Sequence, residues 1–278
     1  MQYADAYGLS VTNVSFDLSK IVERSRKVAG QLNAGVKGLM KKNKITVVEG
    51  FGALTEATQI TVTTGDTTRV LEATNVIIAT GARARDLPGT TADGQRIWTY
   101  RHAMVPQAMP TKLLVIGSGA IGIEFASFYS DMGAKVTVVE MLDLILPVED
   151  AEISAHMAKT LTKQGMTLVT GAKVADVMPG PDGVAATITT ADGQAKTETY
   201  SHVIVAIGIV SNLENIGLEA LGVVVERGRV KVDPWGMTNV AGAVGDRRRH
   251  RRPVAGTQGE SRGHCRRRKD RWVGTASL

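Results

Sequence analysis

Apolar residues recur at three- and four-residue spacing at Leu18, Ile21, Val22, Val28, Leu32, Val36, Leu39 and Met40, which predicts one long amphipathic helix. Asp17 stands where an N-cap belongs. Lys41, Lys42 and Lys44 supply the positive charge that a helix C-terminus favours. Three β-like runs follow at 45–48, 59–63 and 76–79, the first two separated by Gly50 and Gly52. A helix followed by such strands makes part of a domain rather than a closed unit.

Past Pro106 and Pro110 the pattern changes. Lys112–Ile116 is a short continuous apolar run, the mark of a buried parallel strand. A helix at 119–132, a second strand at Lys135–Val139 and a second helix at 150–163 complete a βαβα order, which calls for a parallel sheet. The turn residues of 179–183, then Asp192-Gly193, indicate a hairpin region ahead of another buried strand at 203–207. The fold class expected is α/β: a Rossmann-like domain at 110–236, inserted in a partial domain made of 1–109 and 237–246.

Charge divides the chain once more. The 278 residues carry a net +6, but 247–278 alone holds ten Arg and Lys269 against Glu260 and Asp270, a net of +9. Residues 1–246 hold 22 basic and 25 acidic groups, a net of −3. The chain is a mildly acidic body with a basic tail, and the tail is expected to have no regular structure, because it lacks the apolar content that offsets ordering entropy. The start Met1-Gln2-Tyr3-Ala4-Asp5 lacks the basic and apolar regions of a targeting segment. No apolar run approaches the roughly 20 residues of a membrane span, so a cytoplasmic protein without membrane partners is expected. The single cysteine, Cys265, excludes an intramolecular disulfide or a cysteine metal cage built from this sequence alone.

The chemistry concentrates at Gly117-Ser118-Gly119-Ala120-Ile121-Gly122. This G-x-G-x-x-G follows a strand, opens a helix and has an acid, Glu140, at the end of the next strand, the context that turns a weak motif into a strong one. Gly117 permits the tight turn, Gly119 lets a pyrophosphate approach the backbone, and Gly122 lets helix and strand pack closely. The helix N-terminus supplies oriented N–H groups and partial positive charge to the phosphates. Glu140 lies 18 residues after Gly122, where a carboxylate accepts from ribose hydroxyls and repels a 2′-phosphate, so NAD is favoured over NADP. Glu124 is either a solvated carboxylate at a helix start or a group near the nicotinamide.

At this point the residues resemble a family, the pyridine nucleotide-disulfide oxidoreductases, and within it most closely the dihydrolipoamide dehydrogenases. The marks are Ala4-Asp5-Ala6-Tyr7-Gly8-Leu9, the run 74–81 with Leu87-Pro88-Gly89 after it, the fingerprint 117–124, the strand end Val205-Ala206-Ile207-Gly208, and Thr238-Asn239-Val240 leading to Ala243-Val244-Gly245-Asp246. The resemblance implies an FAD- and NAD-dependent oxidoreductase that passes electrons between dihydrolipoamide, a redox disulfide, flavin and NAD. It implies a homodimer serving 2-oxo acid dehydrogenase complexes. By it, Gly50, Thr80, Gly81 and Ala82 lie along the FAD, and Asp246 accepts from its ribitol. Residues Gly117 to Glu124, with Glu140, Val174 and Gly208, surround NAD.

The sequence also departs from that family. Its opening flavin fingerprint, its C-x-x-x-x-C pair and its terminal His-Glu pair have no counterpart here, which implies a truncated and inactive fragment. Codons compatible with 254–262, read one base forward, spell W-L-A-H-K-A-S-H-E, similar to the family's next segment. The basic tail is therefore read as an out-of-frame continuation. Two other classes stay open: a non-catalytic NAD-binding module, or a mercuric or glutathione reductase relative. The arginine runs of the tail attract phosphate but carry no docking motif, so no specific nucleic-acid partner is expected.

Overall fold

The structure, a computed structural model, describes residues 8, 10, 15–245 and 272–275. In chain order the elements are α1 (Leu18–Lys42), β1 (Phe51–Glu56), β2 (Gln59–Thr64), β3 (Thr67–Glu72), β4 (Asn75–Ile78), β5 (Ala82–Ala84), β6 (Ile97–Trp98), α2 (Tyr100–Ala103), β7 (Lys112–Ile116), α3 (Ala120–Asp131), β8 (Lys135–Val139), α4 (Ala151–Lys163) and β9 (Thr167–Val169). Then come β10 (Lys173–Gly180), β11 (Gly183–Thr189), β12 (Ala195–Tyr200), β13 (His202–Val205), β14 (Ile209–Ser211), β15 (Val225–Glu226), β16 (Arg229–Val230), β17 (Ala243–Gly245) and β18 (Trp272–Thr275). Two compact units result, residues 1–46 with 104–109 and residues 47–103 with 110–278.

In the smaller unit, α1 begins as the sequence predicts: the Asp17 carboxylate accepts from Lys20 N–H at 3.2 Å, a cap of about 1 kcal/mol. None of its 25 residues is buried. The expected strand at 45–48 does not form. Ile45 and, in the larger unit, Val47 are exposed instead; in that unit pairing starts only at Phe51, opposite Thr63.

In the larger unit, a parallel five-stranded sheet runs in the order β6-β13-β7-β8-β9. Helix α3 links β7 to β8 and α4 links β8 to β9, the βαβαβ unit that the alternating pattern demands. The sheet takes its edge strand from Ile97–Trp98, ahead of the boundary expected at 110. Leu113, Leu114 and Val115 of β7 are fully buried, because a central parallel strand is covered on both faces. An antiparallel sheet β10-β11-β12 packs onto it through Val177, Val184, Ala186, Ile188 and Tyr200. On the α3 side, Tyr129 sits between Trp98 and Phe128 and donates from its hydroxyl to the Ala103 carbonyl at 2.7 Å.

A second core joins the antiparallel β1-β2-β3 sheet to β4 through Leu54, Ile60, Val62, Val76, Ile78 and Ile216. Strand β4 lies between β17 and β18, parallel to both. One expectation changes here. The tail is expected to have no regular structure, yet its residues Trp272–Thr275 form a strand, which gives β4 a partner on its second side. The tail's average composition hides a Trp-Val-Gly-Thr run suited to a pleated strand, and an unpaired edge offers the N–H and C=O groups it needs. Among the described residues no helix is long and apolar enough to cross a membrane.

Candidate dinucleotide site

The glycine turn between β7 and α3 is built from constraints that the three glycines divide between them. Gly117 has φ 98°, where a side chain is strained. A Cβ there would stand 2.5 Å from the Ala206 carbonyl oxygen. A Cβ on Gly122 would collide with the Gly117 carbonyl oxygen. These two glycines serve the fold itself, letting α3 close against β7 and the loop after β13. Gly119 differs: it caps α3 at φ −64° and ψ 176°, and a Cβ there would meet nothing within 4 Å. Its lack of a side chain serves no internal contact, so it leaves room for something outside.

The start of α3 has no side-chain cap. Among the described residues the N–H groups of Ala120, Ile121 and Gly122 have no acceptor, whereas Ile123 N–H already donates to Gly119 at 3.0 Å. Three unspent donors and the positive end of a 12-residue helix beside an unobstructed glycine suit a phosphate. Glu124 is exposed on the same helix, without an ion pair among the described residues. That keeps its carboxylate available to solvent or ligand.

Glu140, at the end of β8, is only 9% exposed. Its Oε2 accepts from Ser118 N at 2.8 Å and Ser118 Oγ at 2.7 Å. Its Oε1 accepts from Leu142 N at 3.0 Å. The glycine turn and the strand end are thus fastened together. Gly117 N adds a bond to Val139 O at 2.8 Å, and Ser118 O accepts from Leu146 N at 3.0 Å. Gly208, exposed at φ 111°, lies two residues beyond Ala206. Val174 lies two residues beyond Ala172, whose N–H donates to the Glu140 carbonyl at 3.0 Å. The structure therefore gathers residues 117–124, Glu140, Val174 and Gly208 around the carboxyl end of the parallel sheet, where open α/β sheets receive ligands. This arrangement fits a dinucleotide.

The residues expected along FAD are disposed otherwise. Thr80 donates from its hydroxyl to the Asn212 carbonyl, and Asn212 returns bonds from Nδ2 to Thr80 O at 3.1 Å and from N to Gly81 O at 3.1 Å. Ala82 opens β5, paired with Ser211. Gly50, at φ 142°, has Thr63 O and Val62 Cγ1 each 2.7 Å from where its Cβ would be; close packing of the chain entering β1 against β2 accounts for it. Asp246 lies outside the described residues. Among them no second glycine turn opens a helix, so the described residues do not by themselves fit the FAD pyrophosphate.

Sequence reasoning missed the Ser118–Glu140 clasp and the Asn212 tie. The first had a signal: a hydroxyl between the two leading glycines, one residue from a backbone that an acid must approach. The second had none, since Asn212 is 132 positions from Thr80.

Comparison with known proteins agrees with this geometry. A family model described as pyridine nucleotide-disulphide oxidoreductase matches residues 6–259. A dihydrolipoyl dehydrogenase of Zymomonas mobilis is 54% identical over 249 residues, covering 88% of this chain and 53% of that protein. One from Rhizobium etli is 48% identical, covering 84% and 52%. The crystal structure of LpdA from Mycobacterium tuberculosis superposes with a TM-score of 0.79 at 32% identity, covering 88% of this chain and 53% of that one. The chain spans about half the length of the curated relatives it matches. FAD and NAD are the cofactors of such dehydrogenases. On this matched family, the sheet order and the glycine turn, the chain belongs to the pyridine nucleotide-disulphide oxidoreductases.

Proposed function

We propose that this chain carries the NAD-binding part of a dihydrolipoyl dehydrogenase-type oxidoreductase. The observation that supports it most is Gly119: alone of the three motif glycines it answers no contact inside the protein, and it stands beside three unspent helix N–H donors. In this reading Gly119 and the N–H groups of Ala120, Ile121 and Gly122 hold the pyrophosphate of NAD. Glu140 accepts from the adenosine ribose, Val174 and Gly208 border the dinucleotide, and Glu124 stands toward the nicotinamide. NAD, when bound, supplies the hydride acceptor. The protein's own part is to bind and orient it, at donors fixed before binding, so that little conformational freedom is lost on association.

With Cys265 the only cysteine, the chain has no dithiol pair of its own. NAD binding without dihydrolipoamide turnover is therefore the expected behaviour of the isolated chain, which favours the second reading, a non-catalytic NAD module. From the family the proposal inherits a homodimeric assembly and service to 2-oxo acid dehydrogenase complexes. The test is a fluorescence titration of the purified chain with NADH, paired with an assay of dihydrolipoamide-dependent NAD reduction. Saturable NADH binding without turnover supports the module; turnover supports the complete activity. A folded chain that binds no NADH rejects both.

A further inference from the structure

The sequence places Ser118 among the residues that meet the dinucleotide, but the structure buries it completely. Its polar groups are all turned inward. N–H and Oγ–H both reach Glu140 Oε2, at 2.8 and 2.7 Å, and its carbonyl accepts from Leu146 N at 3.0 Å. Ser118 is thus joined to both ends of the segment 140–146 while touching none of the surface where Gly119 opens.

The two carboxylate oxygens of Glu140 are consequently not equivalent. Oε2 accepts two hydrogen bonds and has both lone-pair directions occupied, whereas Oε1 accepts one, from Leu142 N at 3.0 Å. A carboxylate oxygen accepts about two bonds in its plane, so Oε1 alone keeps an acceptor position. Without the serine hydroxyl the carboxylate keeps two backbone donors and gains freedom to turn about its last side-chain torsion, which is soft.

We propose that Ser118 is a specificity-determining positioning residue: its hydroxyl occupies Oε2 so that Oε1 of Glu140 is presented to the ribose diol, and it holds the negative charge where a 2′-phosphate would be repelled. The inference rests on the NAD reading above and adds to it the residue that sets the choice between the two nicotinamide dinucleotides. Ser118 acts through Glu140 and does not touch the ligand. A fixed carboxylate gains a ribose bond without an ordering cost on binding. It also cannot swing aside to admit a phosphate.

The test compares NADH and NADPH dissociation constants by fluorescence titration of the full chain as wild type, Ser118→Ala, Glu140→Gln and the double variant, with thermal unfolding of each recorded alongside. In Ser118→Ala, NADH is expected to weaken about three- to tenfold, the size of one ordinary hydrogen bond. NADPH is expected to hold or tighten, so that the preference for NADH falls by at least the same factor. The double variant should bind NADH no more weakly than Glu140→Gln alone, since the hydroxyl has no route to the ligand except the carboxylate. A purely structural serine would weaken both dinucleotides equally, and that result overturns the proposal, as does an unchanged preference or additivity in the double variant. If the folded wild type binds no NADH, the underlying NAD reading fails; if it binds NADH and Ser118→Ala keeps the preference, only this inference fails.

Discussion

Strands β7 and β4 begin alike and end differently. Each is a short apolar strand at the middle of a parallel sheet, and each runs into a glycine at positive φ, Gly117 at 98° and Gly81 at 78°. After Gly117 the chain enters α3, whose first N–H groups remain unspent. After Gly81 it enters β5 at once, and the backbone of 82–84 is used in pairing with β14. A buried strand followed by a glycine therefore does not make a phosphate site. In the proposed reading, what makes one is the helix start that follows, together with an acid delivered by the next strand and fixed there, and of these two strands β7 has both.

The largest way to break this difference is Gly122→Val. Its side chain has nowhere to go except into the Gly117 carbonyl, so about 3 kcal/mol or more of stability should be lost, measured by urea unfolding. An unchanged midpoint would mean that α3 does not sit against β7 as described. Next comes Gly81→Ala, which should cost about 1–2 kcal/mol for the left-handed backbone alone and leave NADH affinity unaltered. Thr80→Val removes the hydroxyl bond to Asn212 and should cost about 1 kcal/mol, again without effect on NADH. A clear loss of NADH binding in either of these two would erase the distinction between the turns.

The smallest effect concerns pH. His202, at the start of β13, is half-buried with its ring 4.4 Å from Trp98, and burial, with Arg96 nearby, lowers its pKa below the ordinary 6.5. A folded state that resists protonation binds fewer protons than the unfolded chain. Its stability is thus complete above about 6.5 and declines as pH falls below it. His202→Phe should flatten that decline in unfolding curves taken on either side of pH 6.5. A wild type more stable in acid would reverse the assignment.

Much of the parallel sheet could be read from the chain because its signals are local. Lys112–Ile116 and Lys135–Val139 match the sequence expectation residue for residue, and Asp150 caps α4 as its side-chain bond to Glu152 N–H at 2.9 Å shows. The glycine motif declared the turn and the acid after it. What escaped depended on partners remote in sequence. Thr67–Glu72 became β3 because Gln59–Thr64 lay beside it, and Ile97–Trp98 joined the sheet through His202–Val205, more than a hundred residues away. The amphipathic pattern of α1 announced an apolar stripe, but pattern carries no information about what covers it, and Leu32, at 68% exposure, is not covered here. At the site, the motif placed Ser118 on the turn but carried no sign that its hydroxyl reaches the Glu140 carboxylate, since spacing tells where a residue lies and not which way its hydroxyl points.

The most direct measurement of the central claim is NADH binding to Gly119→Val beside the wild type. The backbone at 119 accepts a β-branched residue, and no protein atom obstructs its Cβ. Unfolding should therefore shift by no more than about 1 kcal/mol, the scale of a helix cap. The side chain would fill the space left for the pyrophosphate, so NADH binding should be lost while the fold persists. A Gly119→Val protein that binds NADH as the wild type does would show that the open glycine is not where the dinucleotide lies.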